Sequence, residues 1–248
     1  MNRRTLLQSL LAISALGGTS YLGRFANAEE AGGSSVDRAK LDAMVQKGIA
    51  FLRGKGQSTD GTFSKQIGIG VTAMAADAMM RHGNSPDEPA VAKALKVVAS
   101  SAREDGGIYA VEGRIKTYET CIAMQCLKTA NRRGAYDTIL KGADKFLREV
   151  PWDGPEGYKS DSEYFGGAGY GVAAKPGGRG RPDLSNTAYL IEALRSSGAS
   201  ADDETIKDAL IFVSRRQNLE SEHNTTPFAS KINDGGFYYT PVAGRKLG

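Results

Sequence analysis

Eight side chains stand at the start of a predicted helix or in a glycine turn just before one, and their types could bind or transform a ligand. They are Asp183, Asn186 and Tyr189, then Tyr118 and Glu119, then the turn tyrosines Tyr109, Tyr158 and Tyr238. Asp183 is the best candidate for a catalytic acid, because it follows a long glycine-rich loop and opens a helix. The unpaired N–H groups of a helix N-terminus suit an anion or a polar ligand. The same positions equally suit helix caps and ring-stacking plugs, and the sequence leaves both readings open. Metal chemistry finds no support: His82 and His223 are the only histidines, and neither has a Cys or acid at ligand spacing. No cofactor is called for. Cys121 and Cys126 lie about 140° apart around a helix and roughly 8 Å apart along it, too far to bridge each other. They read as small buried fillers.

The elements that position these residues repeat. Thr72 to Met79, Thr120 to Leu127 and Thr187 to Leu194 align without a gap. Each begins with Thr and a small residue, and carries Asp77, Gln125 or Glu192 five residues later, a position suited to hydrogen bonds between neighbouring hairpins. Each runs on towards Gly83, Gly134 or Gly198. Thr is a usable N-cap and Gly a usable stop. A turn precedes each helix: Asp60-Gly61-Thr62-Phe63, Asp105-Gly106-Gly107-Ile108-Tyr109 and, more loosely, Asp153-Gly154-Pro155-Glu156-Gly157-Tyr158. Asp234-Gly235-Gly236-Phe237-Tyr238-Tyr239 is a fourth copy. Gly accepts positive φ, Asp can bond its own backbone, and the following aromatic is expected to plug the core.

Apolar residues at helical spacing predict outer helices at Val36–Arg53, Glu88–Ser101, Tyr136–Glu149 and Asp202–Arg216, between inner helices that start at the three threonines. A repeat of roughly 45–50 residues with two helices each calls for an all-α array in which no unit is stable alone. The third spacing, from Asp153 to Thr187, is 34 residues against 12 and 15 before, and its glycine-dense segment from Tyr164 to Pro182 reads as functional or mobile. The chain stops at Gly248, where a fourth inner helix should begin, so it reads as C-terminally truncated.

Residues 1–28 have the three parts of an export signal: Arg3-Arg4, an apolar run from Leu6 to Leu16, and the small-x-small site Ala26-Asn27-Ala28. Asn2 to Leu7 also resembles a twin-arginine motif. Residues 29–35 read as a flexible lead-in, and 36–248 as the repeat domain. The protein is therefore expected in the periplasm or outside the cell, with no transmembrane segment. The leader carries three of the basic residues and no acid, which leaves the remainder only +1 of the +4 net charge. With no basic stripe interleaved with aromatics, nucleic-acid binding is not expected.

An outer helix, an Asp-Gly-Gly-aromatic turn and a Thr-led inner helix, repeated, resemble the prenyltransferase and squalene-oxidase/terpene-cyclase repeat family over residues 36 to 248. Arg181-Pro182-Asp183-Leu184-Ser185-Asn186-Thr187 resembles its exported bacterial members. The resemblance implies an α/α toroid, a double ring of helical hairpins around a central cavity, here an open or partial ring. It also implies that the eight candidate residues line the cavity end of the inner helices. The family's chemistry is not carried over. The Asp-x-Asp-Asp motif of squalene-hopene cyclases is absent, and Asp202-Asp203-Glu204 reads as a helix cap. The zinc ligands of protein prenyltransferases and the thioester motif of complement-like toroids are absent as well. Three functions remain: a cyclase-like protein holding an apolar or isoprenoid-like ligand, a non-catalytic exported module that binds a protein or glycan, and a polysaccharide-active toroid, which needs two carboxylates facing one cleft.

Overall fold

The computed structural model describes residues 37–173, 175–176, 180–225 and 227–239. The leader, its cleavage site and the lead-in lie outside the described residues, as do Gly177, Gly178, Arg179 and the residues after 239. The chain divides into Met1–Met44 and Val45–Gly248. In the first unit Asp37 Oδ1 accepts from Lys40 N at 3.1 Å at the start of helix α1, Arg38–Phe51, whose residues from Val45 on belong to the second unit. The second carries α2 (Ile69–Arg81), α3 (Pro89–Ser100), α4 (Lys116–Ala130), α5 (Asp137–Arg148), α6 (Leu184–Ser197), α7 (Glu204–Arg216) and the short α8 (Pro227–Ile232). The described residues form helices and no strand, so the all-α class holds.

The helices make two layers. Inner helix α2 packs on α4, and α4 on α6. Outer helices α3 and α5 each lie against the inner helix before and the one after, and α7 lies against α6. The outer helices bury one face only: α5 buries Leu140, Ala143, Phe146 and Leu147, with Asp137 in its first turn and Arg148 in its last, the favourable sense for the helix dipole. Helix α4, flanked on both sides, is buried nearly all round from Thr117 to Ala130. Ala73, Ala76, Cys121, Cys126 and Ala193 are fully buried, so small side chains occupy the faces where helices meet. Both cysteines are unbridged, and burial pushes their thiols well up.

The repeat threonines are not N-caps. The inner helices begin three or four residues earlier, after Gly68, Ile115 and Asp183. Each threonine instead pins a turn to its helix. Thr72 Oγ1 accepts from Phe63 N, Thr120 Oγ1 from Ile108 N and Thr187 Oγ1 from Ala168 N, all at 3.0 Å. Thr120 and Thr187 also donate to the carbonyls of Lys116 and Asp183, four residues back, which keeps the hydroxyl satisfied inside the helix.

These bonds identify the third turn as Phe165-Gly166-Gly167-Ala168, not Asp153 to Tyr158. Gly61, Gly106 and Gly166 have φ of 90°, 89° and 78°, and each faces the backbone of the following outer helix, at Lys93, Gly142 and Asp208. In the other three copies the Asp side chain accepts from the backbone N–H two residues on: Asp60 from Thr62, Asp105 from Gly107 and Asp234 from Gly236. Trp152 N donates to Gly167 O as Arg103 N does to Gly107 O, so the extra residues of the third unit sit between its outer helix and its turn. Phe63 is buried as a plug, whereas Phe237 is 53 % exposed. Of the expected glycine stops, Gly198 is the left-handed cap of α6; α2 and α4 end before Gly83 and Gly134.

Candidate functional site

Two carboxyl groups at the inner-helix starts are held in structural bonds. Glu119 is fully buried; its Oε1 accepts from Ile69 N at 2.7 Å and its Oε2 from Ala110 N at 3.0 Å. It ties the start of α2 to the strand of chain that follows the second turn. Asp183 caps α6: Oδ1 accepts from Asn186 N and Ser185 Oγ, and Oδ2 from Asn186 Nδ2. Asp183 is 3 % exposed, yet it borders a cavity of about 320 Å³ together with Trp152, Tyr170, Arg181 and Tyr239.

A second cavity, about 480 Å³, adjoins the first. Arg114, Lys116, Phe146 and Asp105 line it, and residues 170–172 border both cavities. Tyr170, Val172 and Tyr239 are about half exposed, which makes the pair of cavities one groove with an apolar ridge. Three cationic side chains, Arg114, Lys116 and Arg181, face two acids, and both acids already accept hydrogen bonds within the chain. Lys116 Nζ lies 4.6 Å from the centre of the Tyr109 ring, a cation–π contact that places its charge at the groove wall.

The other sequence candidates scatter around this groove. Tyr118 and Tyr189 meet across α4 and α6, hydroxyls 3.4 Å apart and rings edge to face at 4.6 Å; the shared hydrogen bond raises Tyr118 to about 12. Asn186 is fully buried beside Asp183. Tyr109 packs on Phe146 and donates to Asp105, and burial with that bond raises it to about 12. Tyr158 packs on Trp152, which lines the first cavity, and on Tyr164. Tyr238 joins the fourth turn to Arg216 through its backbone N–H. Asp77 accepts from Thr129 of the adjacent inner helix at 2.7 Å, the inter-hairpin bond expected at that repeat position. Several groove residues are not among the sequence candidates: Trp152, Tyr170, Arg181 and Tyr239 border or lie within the glycine-dense third unit and the fourth turn, and Arg114 and Lys116 stand at the start of α4. An aromatic between Gly169 and Gly171 was the available signal for Tyr170.

Asp153 leaves a pH signature. Burial, then its hydrogen bond with Glu156 and the nearby Asp208 charge, raise its carboxyl from 3.8 to about 7. The folded chain therefore holds a proton that the unfolded chain has released between about pH 4 and pH 7, and stability falls as pH rises through that window. Melting temperature is expected to decline from pH 5 to pH 8, and Asp153→Asn to flatten the decline. A slope unchanged in the variant contradicts the assignment.

No group of three His, Cys, Asp or Glu among the described residues could hold a metal ion, and no described helix is long and apolar enough to cross a membrane. The chain matches no protein-family model, and none of the curated proteins is significantly similar to it.

Proposed function

We propose that this chain is an exported repeat protein of the α/α-toroid, terpene-cyclase-like type that binds, and does not transform, an apolar isoprenoid-like ligand with an anionic head group. The groove carries this reading: an exposed ridge of Tyr170, Val172 and Tyr239 for the apolar body, with Arg114, Lys116 and Arg181 for the anion. Mostly apolar walls with a few convergent polar groups are the usual make-up of a small-molecule site. The acids that protonation chemistry would use, Asp183 and Glu119, are engaged in capping and bridging bonds, which favours binding over catalysis. Two rows of helices whose inner members begin at successive turns support the toroid type.

Trp152 is the sole tryptophan and borders the groove, so its emission reports occupancy. Titration with farnesyl phosphate is expected to saturate, and farnesol to bind at least about tenfold more weakly, the effect of losing one charge-assisted contact set. Arg181→Ala is expected to weaken the phosphate by roughly threefold to tenfold. Equal affinity for farnesol, or tighter binding of a neutral oligosaccharide such as cellotetraose, contradicts the reading.

A further inference from the structure

The seam between α4 and α6 holds two orphaned groups behind Tyr170. Among the described residues, Thr117 Oγ1 and Asn186 Oδ1 are buried without a hydrogen-bond partner, and both residues are 0 % exposed. The amide of Asn186 has a fixed orientation: its Nδ2 donates to Asp183 Oδ2 at 2.8 Å, which leaves Oδ1 as a bare acceptor. Leaving such groups unpaired in the interior is costly, so each points to a use.

The repeat register puts the two at matching positions of neighbouring inner helices. In the seam between α2 and α4, Ile69, three residues before Thr72, donates its N–H to Glu119, one residue before Thr120. Thr117 stands three before Thr120 and Asn186 one before Thr187, the same two positions in the next seam. Glu119 fills its seam with a carboxyl group. Asn186, one carbon shorter and drawn towards Asp183, leaves its oxygen unpaired. Over this seam runs Tyr170, whose carbonyl accepts from Thr117 N at a long 3.4 Å and which borders both cavities. A Cβ built on the next residue, Gly171, meets nothing within 4 Å, so the chain has room to shift on that side.

We propose that Thr117 and Asn186 form a hydroxyl-reading subsite of the groove. A ligand O–H entering beside Tyr170 donates to Asn186 Oδ1 and accepts from Thr117 Oγ1. A hydroxyl matches because it donates to Asn186 while it accepts from Thr117; an ionised phosphate oxygen cannot donate to Asn186. The subsite rests on the groove reading and sharpens it, with the ligand's hydroxyl beside Tyr170 and its anionic group at Lys116 of the same cavity wall.

The test compares 2-hydroxydodecanoate with dodecanoate, which differ by one hydroxyl beside the carboxylate. Affinities are read from Trp152 emission for the wild type and for Thr117→Val, with melting temperatures taken without ligand. The wild type is expected to prefer the hydroxy acid by about tenfold, the net gain from the hydroxyl's pair of buried hydrogen bonds. Thr117→Val is expected to bring the two acids within a factor of about two, and to melt no lower than wild type because the orphaned hydroxyl is gone. Equal wild-type affinities overturn the subsite and leave the groove intact. A preference that survives in Thr117→Val, with a lower melting temperature, assigns the pair to a structural water and also overturns it. Binding of neither acid removes the groove reading and the subsite with it.

Discussion

Replacing Glu119 with alanine is expected to destabilise the protein by about 2–5 kcal/mol. The variant strips the acceptor from two backbone N–H groups, Ile69 in the buried seam and Ala110 at its half-buried edge. Each orphaned donor costs about 1–3 kcal/mol, against a total stability on the order of 5–15 kcal/mol. For a domain of this size the melting temperature should fall by roughly 5–20 °C. Glu119→Gln should lie between, because its amide keeps one acceptor and turns a donor towards the second N–H. Glycine at position 68 belongs to the same device: it has φ of 113°, and a Cβ there would lie 2.0 Å from Glu119 Oε1. Thermal unfolding decides the matter; a Glu119→Ala protein as stable as wild type contradicts the bridging role.

Gly166→Ala should be comparably severe, and it should head a graded series. The three turn glycines sit at positive φ against the next outer helix, but at different distances. An added Cβ would lie 1.8 Å from Asp208 O at Gly166, 2.5 Å from Gly142 O at Gly106 and 2.9 Å from Lys93 O at Gly61. Left-handed backbone costs a non-glycine residue about 1–2 kcal/mol, and forced separation of packed backbone adds about 1–3 kcal/mol. The expected loss is therefore about 3–5 kcal/mol at Gly166, less at Gly106 and least at Gly61. Denaturant unfolding of the three alanine variants measures the order; equal losses, or a reversed order, contradict the account of the turns.

The outer helices were legible in the sequence because their apolar residues recur on one face: Val91, Leu95 and Val98, or Leu140, Phe146 and Leu147, are buried as their spacing requires. The inner helices were harder to delimit. Their first turns are Ile69-Gly70-Val71 and Lys116-Thr117-Tyr118-Glu119, segments with no periodic face, so the conserved-looking spacing of Thr72 and Thr120 read as a start when it marks the second bond of a tied turn. The third turn was hidden because Phe165 stands where the other copies have Asp, and the resemblance of Asp153-Gly154 to the motif drew the assignment away.

Of the candidate site, Asp183 was found at a cavity wall because an acid opening a helix is visible in sequence. The groove itself was not, because Lys116, Trp152, Tyr170, Arg181 and Tyr239 come from three different repeat units and converge only after the hairpins pack. Glu119 was expected to face a ligand; its neighbours at Gly68 and Gly70 leave just enough room for it to turn into the seam instead.

Whether ligand occupies the groove at Tyr170 is decided by a crystal structure of the protein with farnesyl phosphate. The expected placement has the chain of the ligand along Tyr170, Val172 and Tyr239, with its phosphate among Arg114, Lys116 and Arg181. Ligand seated instead on the exposed face of the inner helices, at Met74 and Glu192, would contradict it.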